Sequence, residues 1–307
     1  MSGRPSRRAL LAGLGALASA RSRSAPRPIR LGGPIFLKSD DPRELAREHR
    51  RLGYSAAYCP EARPEDAARC RAIETAFAAE NVVIAEVGAW RNMLDPDAER
   101  RRATFDYVVQ RLALAEAVGA RCAVTIAGSY NPKIWYGPHP KNLSREFFDA
   151  TVENCRRVID AVKPRRTHFT IEMMGWSLPD SPDSYLELIR AVDRKGFAVH
   201  LDVCNLINNP AQFYRNSELI EECFRKLGRW VVSCHAKDLD WVVEMNLHFV
   251  EVVPGRGHLD YRAYLRGLAA LPVDAPLMLE HLTSPDEYEE GKRYIFRVAA
   301  ELGLPFA

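Results

Sequence analysis

The sequence predicts a single (β/α)8 barrel, and three observations carry that reading. From Ile29 onward, short apolar runs of β type alternate with longer helical patterns, an alternation that argues for βαβ units and a parallel sheet. Eight runs and eight helical patterns follow one another in strict order, within the length of a typical barrel of this kind. No GxGxxG follows the first strand, which weighs against the alternative, a doubly wound open sheet.

The first strand falls near Ile29–Leu31 and leads to a helix near Asp41–Leu52, closed by Gly53. The second, near Ala56–Cys59, precedes a helix near Pro64–Asn81. The third, near Val82–Glu86, precedes a helix near Asp95–Ala117 that ends by Gly119. The fourth, near Cys122–Ile126, precedes Ser144–Val162, and the fifth, near Thr167–Glu172, precedes Pro182–Val192. Asp180-Ser181 offers capping groups to that last helix, Pro182 fits its first turn, and Gly196 closes the segment. The sixth strand, near Phe197–Asp202, precedes Ser217–Leu227, closed by Gly228. The seventh, near Val231–Ala236, precedes Tyr261–Ala270, and the eighth, near Leu277–Glu280, precedes Pro285–Leu302. Glycine suits such closing positions because it adopts the left-handed conformation without steric cost. There is no internal repeat beyond the βα unit, no low-complexity tract and no second domain.

The N-terminus differs from the rest. Arg7-Arg8 precedes an apolar, Gly/Ala-rich stretch that ends in Ala18-Ser19-Ala20, a small-x-small cleavage pattern. Residues 1–20 therefore resemble a bacterial twin-arginine export signal. Residues 21–28 read as an Arg/Ser/Pro linker, and residues 29–307 as the barrel. The expected location is periplasmic or extracellular. The whole chain carries 43 Lys+Arg against 40 Asp+Glu. Loss of Arg4, Arg7 and Arg8 with the signal leaves 40 basic residues against the 40 acidic. A balanced domain has no electrostatic footprint for nucleic acid. No apolar run is long enough to argue for a membrane span. The seven cysteines form no CxxC pair and mostly sit in apolar patterns, where a thiol behaves as a small hydrophobe, so no disulfide framework is expected.

In a barrel, the C-terminal ends of the strands point into one shared mouth. Four consecutive strands, the fifth to the eighth, end on metal-competent residues: Glu172, Asp202, His235 and Glu280. Adjacent strands lie about 4.8 Å apart, so these side chains can converge on one ion. Three carboxylates and one imidazole suit Mn2+, placed first, or Co2+, Mg2+ or Zn2+. The lack of a thiolate weighs against a structural zinc site. Three buried acids in one mouth would repel one another unless a cation neutralised them.

These residues lie in Phe169-Thr170-Ile171-Glu172, His200-Leu201-Asp202-Val203-Cys204-Asn205, Cys234-His235-Ala236-Lys237-Asp238 and Leu277-Met278-Leu279-Glu280-His281. With Pro254-Gly255-Arg256-Gly257-His258-Leu259-Asp260-Tyr261, they make the chain from about Ile29 onward resemble the xylose-isomerase-like TIM-barrel superfamily. That group includes sugar isomerases, ketose 3-epimerases, inosose dehydratases and enzymes of the endonuclease IV type. The resemblance implies metal-assisted proton chemistry on a sugar or cyclitol, with Glu172 and Glu280 removing and returning a proton. It also marks two departures. The 3-epimerases carry a His three residues after the metal Asp and an Arg six after the metal His, where this chain has Asn205 and Trp241. The endonuclease IV type shares the first of those His residues and adds loop histidines. The His-Ala-Lys-Asp run is closer to the dehydratase and uncharacterised epimerase branches.

Other residues are candidates at the same mouth. Lys237 follows His235 by two and so shares its face; it would polarise a substrate oxygen, or pair with Asp238. Asn205 would bond a sugar hydroxyl or cap a turn. Glu86 is an alternative base. His168 and His200 share the inward parity of Glu172 and Asp202 but lie deeper, where they would orient carboxylates. Trp90, Arg91, Trp135, Tyr136 and His139 lie on active-face loops and would stack on or bond a sugar, or pack the loops. Arg256 would reach an anionic or polyhydroxyl substrate, and Arg256 and His258 complete the substrate-binding set.

The leading expectation is a divalent-metal-dependent isomerase or epimerase acting next to a carbonyl of a sugar or cyclitol. The alternative is a lyase that expels a β-hydroxyl or β-alkoxy group from a keto-inositol or 3-oxo-glycoside, with Lys237 or His258 as leaving-group acid. A metal-dependent nuclease or hydrolase and a non-catalytic sugar-binding barrel rank below these. The expected partner is a small-molecule sugar or cyclitol, with no nucleic acid and no membrane; homo-oligomerisation is left open.

Overall fold

In the computed structural model, which describes residues 27–307, the alternation of strands and helices closes into a ring of eight parallel strands. The barrel strands are β1 (Leu31–Gly32), β2 (Ala56–Tyr58), β3 (Val83–Gly88), β4 (Cys122–Ile126), β5 (His168–Glu172), β6 (Phe197–Leu201), β7 (Val231–Ala236) and β10 (Leu277–Leu279). The ring runs in that order and β10 pairs back to β1. The expected signal segment, residues 1–20, and residues 21–26 of the expected linker lie outside the described residues.

The helices cover the ring: α1 (Pro42–Arg51), α2 (Ala67–Ala79), α3 (Ala98–Val118), α4 (Arg145–Val162), α5 (Pro182–Val192), α7 (Asn216–Leu227), α8 (Tyr261–Ala269) and α9 (Pro285–Leu302). Most begin on a side-chain cap that satisfies an orphan amide, worth about 1 kcal/mol each. Asp41, Asp66, Asp97, Ser144, Ser181, Asp260 and Ser284 take this role. Strand residues such as Ile84, Phe169, Val199 and Leu277 face outward and form the main core with the helices. Inside the ring, Ala56, Ala85 and Met278 form a separate small cluster. Met278 fits there because Gly32 has no side chain. A Cβ at Gly32 would lie 2.5 Å from the Ala56 carbonyl oxygen and 2.6 Å from the Met278 sulfur.

Two elements break the simple repeat. A short helix, α6 (Pro210–Tyr214), precedes α7, and an antiparallel hairpin, β8 (Asp238–Trp241) and β9 (Phe249–Val252), follows β7 directly. The sequence reading runs from the seventh strand to its helix without this hairpin. Asp238 explains how the insertion is held. Its buried carboxylate accepts backbone N–H bonds from Leu239, Gly255, Gly257 and Leu259. Gly257 lets the loop approach, since a Cβ there would sit 2.4 Å from the Asp238 oxygen. All seven cysteines are free, and burial pushes the Cys59 thiol up to about 12.

Candidate metal centre

Glu172 ends β5, Asp202 follows β6, His235 lies near the end of β7 and Glu280 follows β10. These four strands are neighbours in the ring, so their C-terminal ends share one quadrant of the mouth. One donor atom from each residue lies within 4.8 Å of the others. His235 Nδ1 is the centre of the group, 2.8 Å from Glu172 Oε1, 2.7 Å from Glu280 Oε1 and 3.5 Å from Asp202 Oδ2. Helix tyrosines hold the strand ends in place. Tyr185 donates to the Ile171 carbonyl, Tyr264 to those of Leu201 and His235, and Tyr261 to that of Lys237.

This arrangement fits a divalent cation. One imidazole nitrogen carries at most one proton, yet Nδ1 faces three carboxylate oxygens. Asp202 Oδ2 and Glu280 Oε1 are buried without a directed hydrogen bond. Lys237 Nζ comes within 2.9 and 2.8 Å of them but off the hydrogen-bonding line. Oxygen-rich ligation with one imidazole suits Mn2+, Mg2+, Co2+ or Zn2+, and Lys237 with a divalent ion balances the three carboxylates.

The electrostatics follow from the crowding. Burial pushes the Glu172 carboxyl up, and the His235 ring only partly opposes it. At Asp202 burial is outweighed by the Lys237 ammonium and His235, which hold the carboxyl well below the usual range. The same two cations outweigh burial at Glu280 and take it down to about 2. Burial would lower the Lys237 ammonium, but Asp202, Glu172 and Glu280 hold it well above its ordinary value. The expected pairing of Lys237 with Asp238 is therefore replaced by Asp202 and Glu280, because Asp238 is fully engaged by the hairpin loop.

A second layer lies under His235. Glu86 at β3 is buried and accepts from three groups: Ser233, His200 Nε2 at 2.9 Å and His235 Nε2 at 3.3 Å. The sequence reading makes Glu86 an alternative base. The structure places its carboxylate behind the His235 ring, where it fixes Nε2–H and leaves Nδ1 turned to the three acids. His200 lies in this layer, its ring 4.1 Å from that of His235. His168 sits at the opposite, N-terminal end of β5.

The remaining candidates divide. Asn205 is in the group: its Nδ2 donates to Glu172 Oε1 at 3.1 Å and its Oδ1 lies 3.4 Å from Lys237 Nζ. Trp90 lies over the same mouth, its ring 6.4 Å from that of His235. Arg91 is not brought in; its guanidinium rests over the Tyr107 ring of α3. His258 packs on Phe213 and faces Asp240. Trp135 and Tyr136 pack on each other in an exposed loop, and His139 caps the turn that follows. Arg256 lies at the edge of the mouth, its guanidinium bound to both oxygens of Glu290.

Sequence reasoning missed Glu251 and gave His281 no role. Glu251 is carried by β9, and its Oε1 lies 3.5 Å from Lys237 Nζ. Its Oε2 accepts from His281 Nδ1 at 2.8 Å. Together with Lys237, Glu280, Arg256 and Glu287 they line a cavity of about 210 Å3 at the mouth. No periodic signal marks Glu251, since Phe249–Val252 does not alternate and the Val242–His248 loop before it is mostly apolar. Larger grooves of about 530 and 840 Å3 lie between outer helices but gather no convergent ligand set.

Fold and site thus define a (β/α)8 barrel with a candidate carboxylate–histidine metal centre at its C-terminal mouth. The chain belongs to the xylose isomerase-like TIM barrel family, whose model matches residues 46–298. No curated protein matches it. Three similar solved structures share its fold. Endonuclease IV from Thermus thermophilus has 16% identity and a TM-score of 0.65, with 89% of this chain and 99% of that one covered. The probable 3-DHS dehydratase of petrobactin synthesis from Bacillus anthracis has 14% identity and a TM-score of 0.63, covering 88% and 98%. The 3-keto-D-glucoside 4-epimerase from E. coli has 13% identity and a TM-score of 0.61, covering 88% and 99%.

Proposed function

We propose that the protein is a divalent-metal-dependent isomerase or epimerase that moves a proton beside a carbonyl of a sugar or cyclitol. One observation carries the reading: Glu172 and Glu280 meet at His235 Nδ1 from β5 and β10, with β6 and β7 between them. Two carboxylates that approach one point from separate strands can flank a substrate and serve its two faces. When bound, the ion would polarise the carbonyl and acidify the adjoining C–H bond. Glu172, Asp202, His235 and Glu280 would hold it. With the ion bound, both ligand carboxylates would stand ionised beside the substrate, placed by β5 and β10 to take and return the proton. Asn205 fixes the orientation of Glu172, and Lys237 presents its ammonium at the edge of the substrate cavity.

A lyase is the second reading, favoured by Lys237 alone. Its ammonium reaches the cavity and would stabilise the charge on a leaving oxygen, whereas His258 is turned to Asp240. The two neighbours that act on 3-keto-D-glucoside and 3-DHS are consistent with either outcome. The test is incubation with a panel of ketoses, inososes and 3-oxo-glycosides in deuterated buffer with Mn2+. Deuterium is expected at a carbon next to the carbonyl, with an epimer or an unsaturated product separating the two readings. Absence of exchange across the whole panel would refute both.

A further inference from the structure

The cavity over the Lys237 end of the cluster carries information about the charge of its ligand. Three cationic side chains line it: Lys237, Arg256 and His281. Each already faces acids. Lys237 lies at 2.9 Å from Asp202 and 2.8 Å from Glu280. Arg256 holds both oxygens of Glu290. His281 bonds Glu251 at 2.8 Å. The same wall contributes the carboxylates of Glu251, Glu280 and Glu287. Glu287 is kept ionised by the Thr283 amide and hydroxyl, which donate to it. The wall is therefore rich in acceptors and has spent its cations.

His281 is held for this role by its backbone. Its φ of +61° places it in the left-handed region, uncommon outside glycine and informative where it occurs at a site. That turn sets Nδ1 on Glu251 while the ring stays more than half exposed toward the cavity. Glu251 in turn reaches this position on β9, which pairs antiparallel with β8, the strand that follows Lys237.

We infer that the cavity receives the distal hydroxyls of an uncharged polyol, that Glu251 and His281 determine this specificity, and that phosphorylated or carboxylated sugars are excluded. The inference rests on the sugar or cyclitol reading above and narrows it. Hydroxyls donate to the carboxylates and accept from His281 and Lys237, so a neutral polyol satisfies both kinds of partner. With Glu280 engaged by the ion and Lys237, an added phosphate or carboxylate would meet Glu251 and Glu287, while Arg256 and His281 are already held by Glu290 and Glu251, and such like-charge contacts cost affinity. Of the two roles that Arg256 suggests from sequence, toward an anionic or a polyhydroxyl substrate, this leaves the second.

The test uses the full chain loaded with Co2+, with the visible absorption of the metal as the readout, so that binding is followed without turnover. The probes are D-fructose and D-fructose 6-phosphate, and D-glucose and D-glucuronate. The neutral member of each pair is expected to perturb the spectrum at a concentration at least roughly tenfold lower than its anionic partner. Glu251→Gln and, separately, Glu287→Gln should shrink that gap while bound Co2+ stays at the wild-type level. His281→Asn, which tolerates the left-handed backbone, should weaken the neutral probes. Equal or tighter binding of the anionic probes overturns the inference, as does an unchanged gap in both glutamine variants or a spectrum that no probe perturbs. The broader reading fails separately, when no compound of the deuterium panel exchanges.

Discussion

His235 shows how one residue can be specified from both sides. Its Nδ1 faces Glu172, Asp202 and Glu280, and its Nε2 faces Glu86. Losing the group that orients a metal-binding histidine typically weakens metal binding about 10–100-fold. Glu86→Gln is therefore expected to lower Co2+ affinity by that range while the circular dichroism spectrum is unchanged; titration of metal-free protein with Co2+ checks it. An unaltered affinity would mean that Glu86 serves only the barrel interior. The four candidate ligands were legible in sequence because each ends a recognisable apolar strand. Lys237 was half legible: strand parity aimed it correctly, but its partners come from β6 and β10, far off in sequence. Arg91 and His258 lie on loops, where no periodicity fixes direction, and each turns to a nearby aromatic ring.

At the scale of elements, the barrel strands and their helices were legible because burial imposes a period on each. Pro182–Val192 and Pro285–Leu302 match their expected bounds, each opened by a serine cap and a proline. The hairpin was not, since much of β9 is exposed and its side chains obey no buried pattern. The docking of α1 gives a pH test. His49 on this helix is buried against Phe77 and Tyr54, with Nδ1 on the Leu45 carbonyl. Burial pushes its imidazole below the ordinary value near 6.5, the Leu45 carbonyl opposing. The unfolded chain binds a proton there that the folded chain refuses. Its contribution is thus complete above about pH 6.5 and falls as the pH drops below it. Urea midpoints at pH 7.5 and 5.5 should differ less for His49→Phe than for the wild type. An equal difference in the two proteins would show that His49 titrates alike folded and unfolded.

Across the whole molecule the ring is unevenly joined. Five residue pairs, Cys122↔His168 to Ile126↔Glu172, join β4 to β5, whereas Gly32↔Ala56 alone joins β1 to β2. Side chains reinforce that weak place. The Tyr58 hydroxyl donates to the Leu279 carbonyl, linking β2 to β10 past β1. Below it, Asp274 accepts from Arg30 at 2.7 Å and from Arg121 at 3.1 Å, and Arg30 also donates to Ser55 and Asn81. Asp274→Ala leaves two half-buried guanidinium groups short of a partner and is expected to cost about 1–2 kcal/mol. That corresponds to a fall in Tm of about 2–6 °C by calorimetry, with metal content unchanged because Asp274 lies at the end of the barrel away from the mouth. A Tm within experimental error of the wild type would show that the seam holds without this carboxylate. None of this network was legible from sequence, since its members lie up to 244 positions apart.

The two ends of the described chain meet at this same seam. Ile29 pairs with Phe306 as a parallel bridge, its amide bonded to the Pro305 carbonyl and its carbonyl to the Ala307 amide. Both ends therefore leave from the floor of the barrel, opposite the candidate site. A linker or affinity handle fused after Ala307 would emerge from that floor, and a molecule tethered through it to a solid support would stand with its opening toward the solution. A short peptide joining Ala307 to Ile29 would close the backbone into a circle at the place where the ring has the fewest strand pairs, and new ends could then be cut in a loop elsewhere.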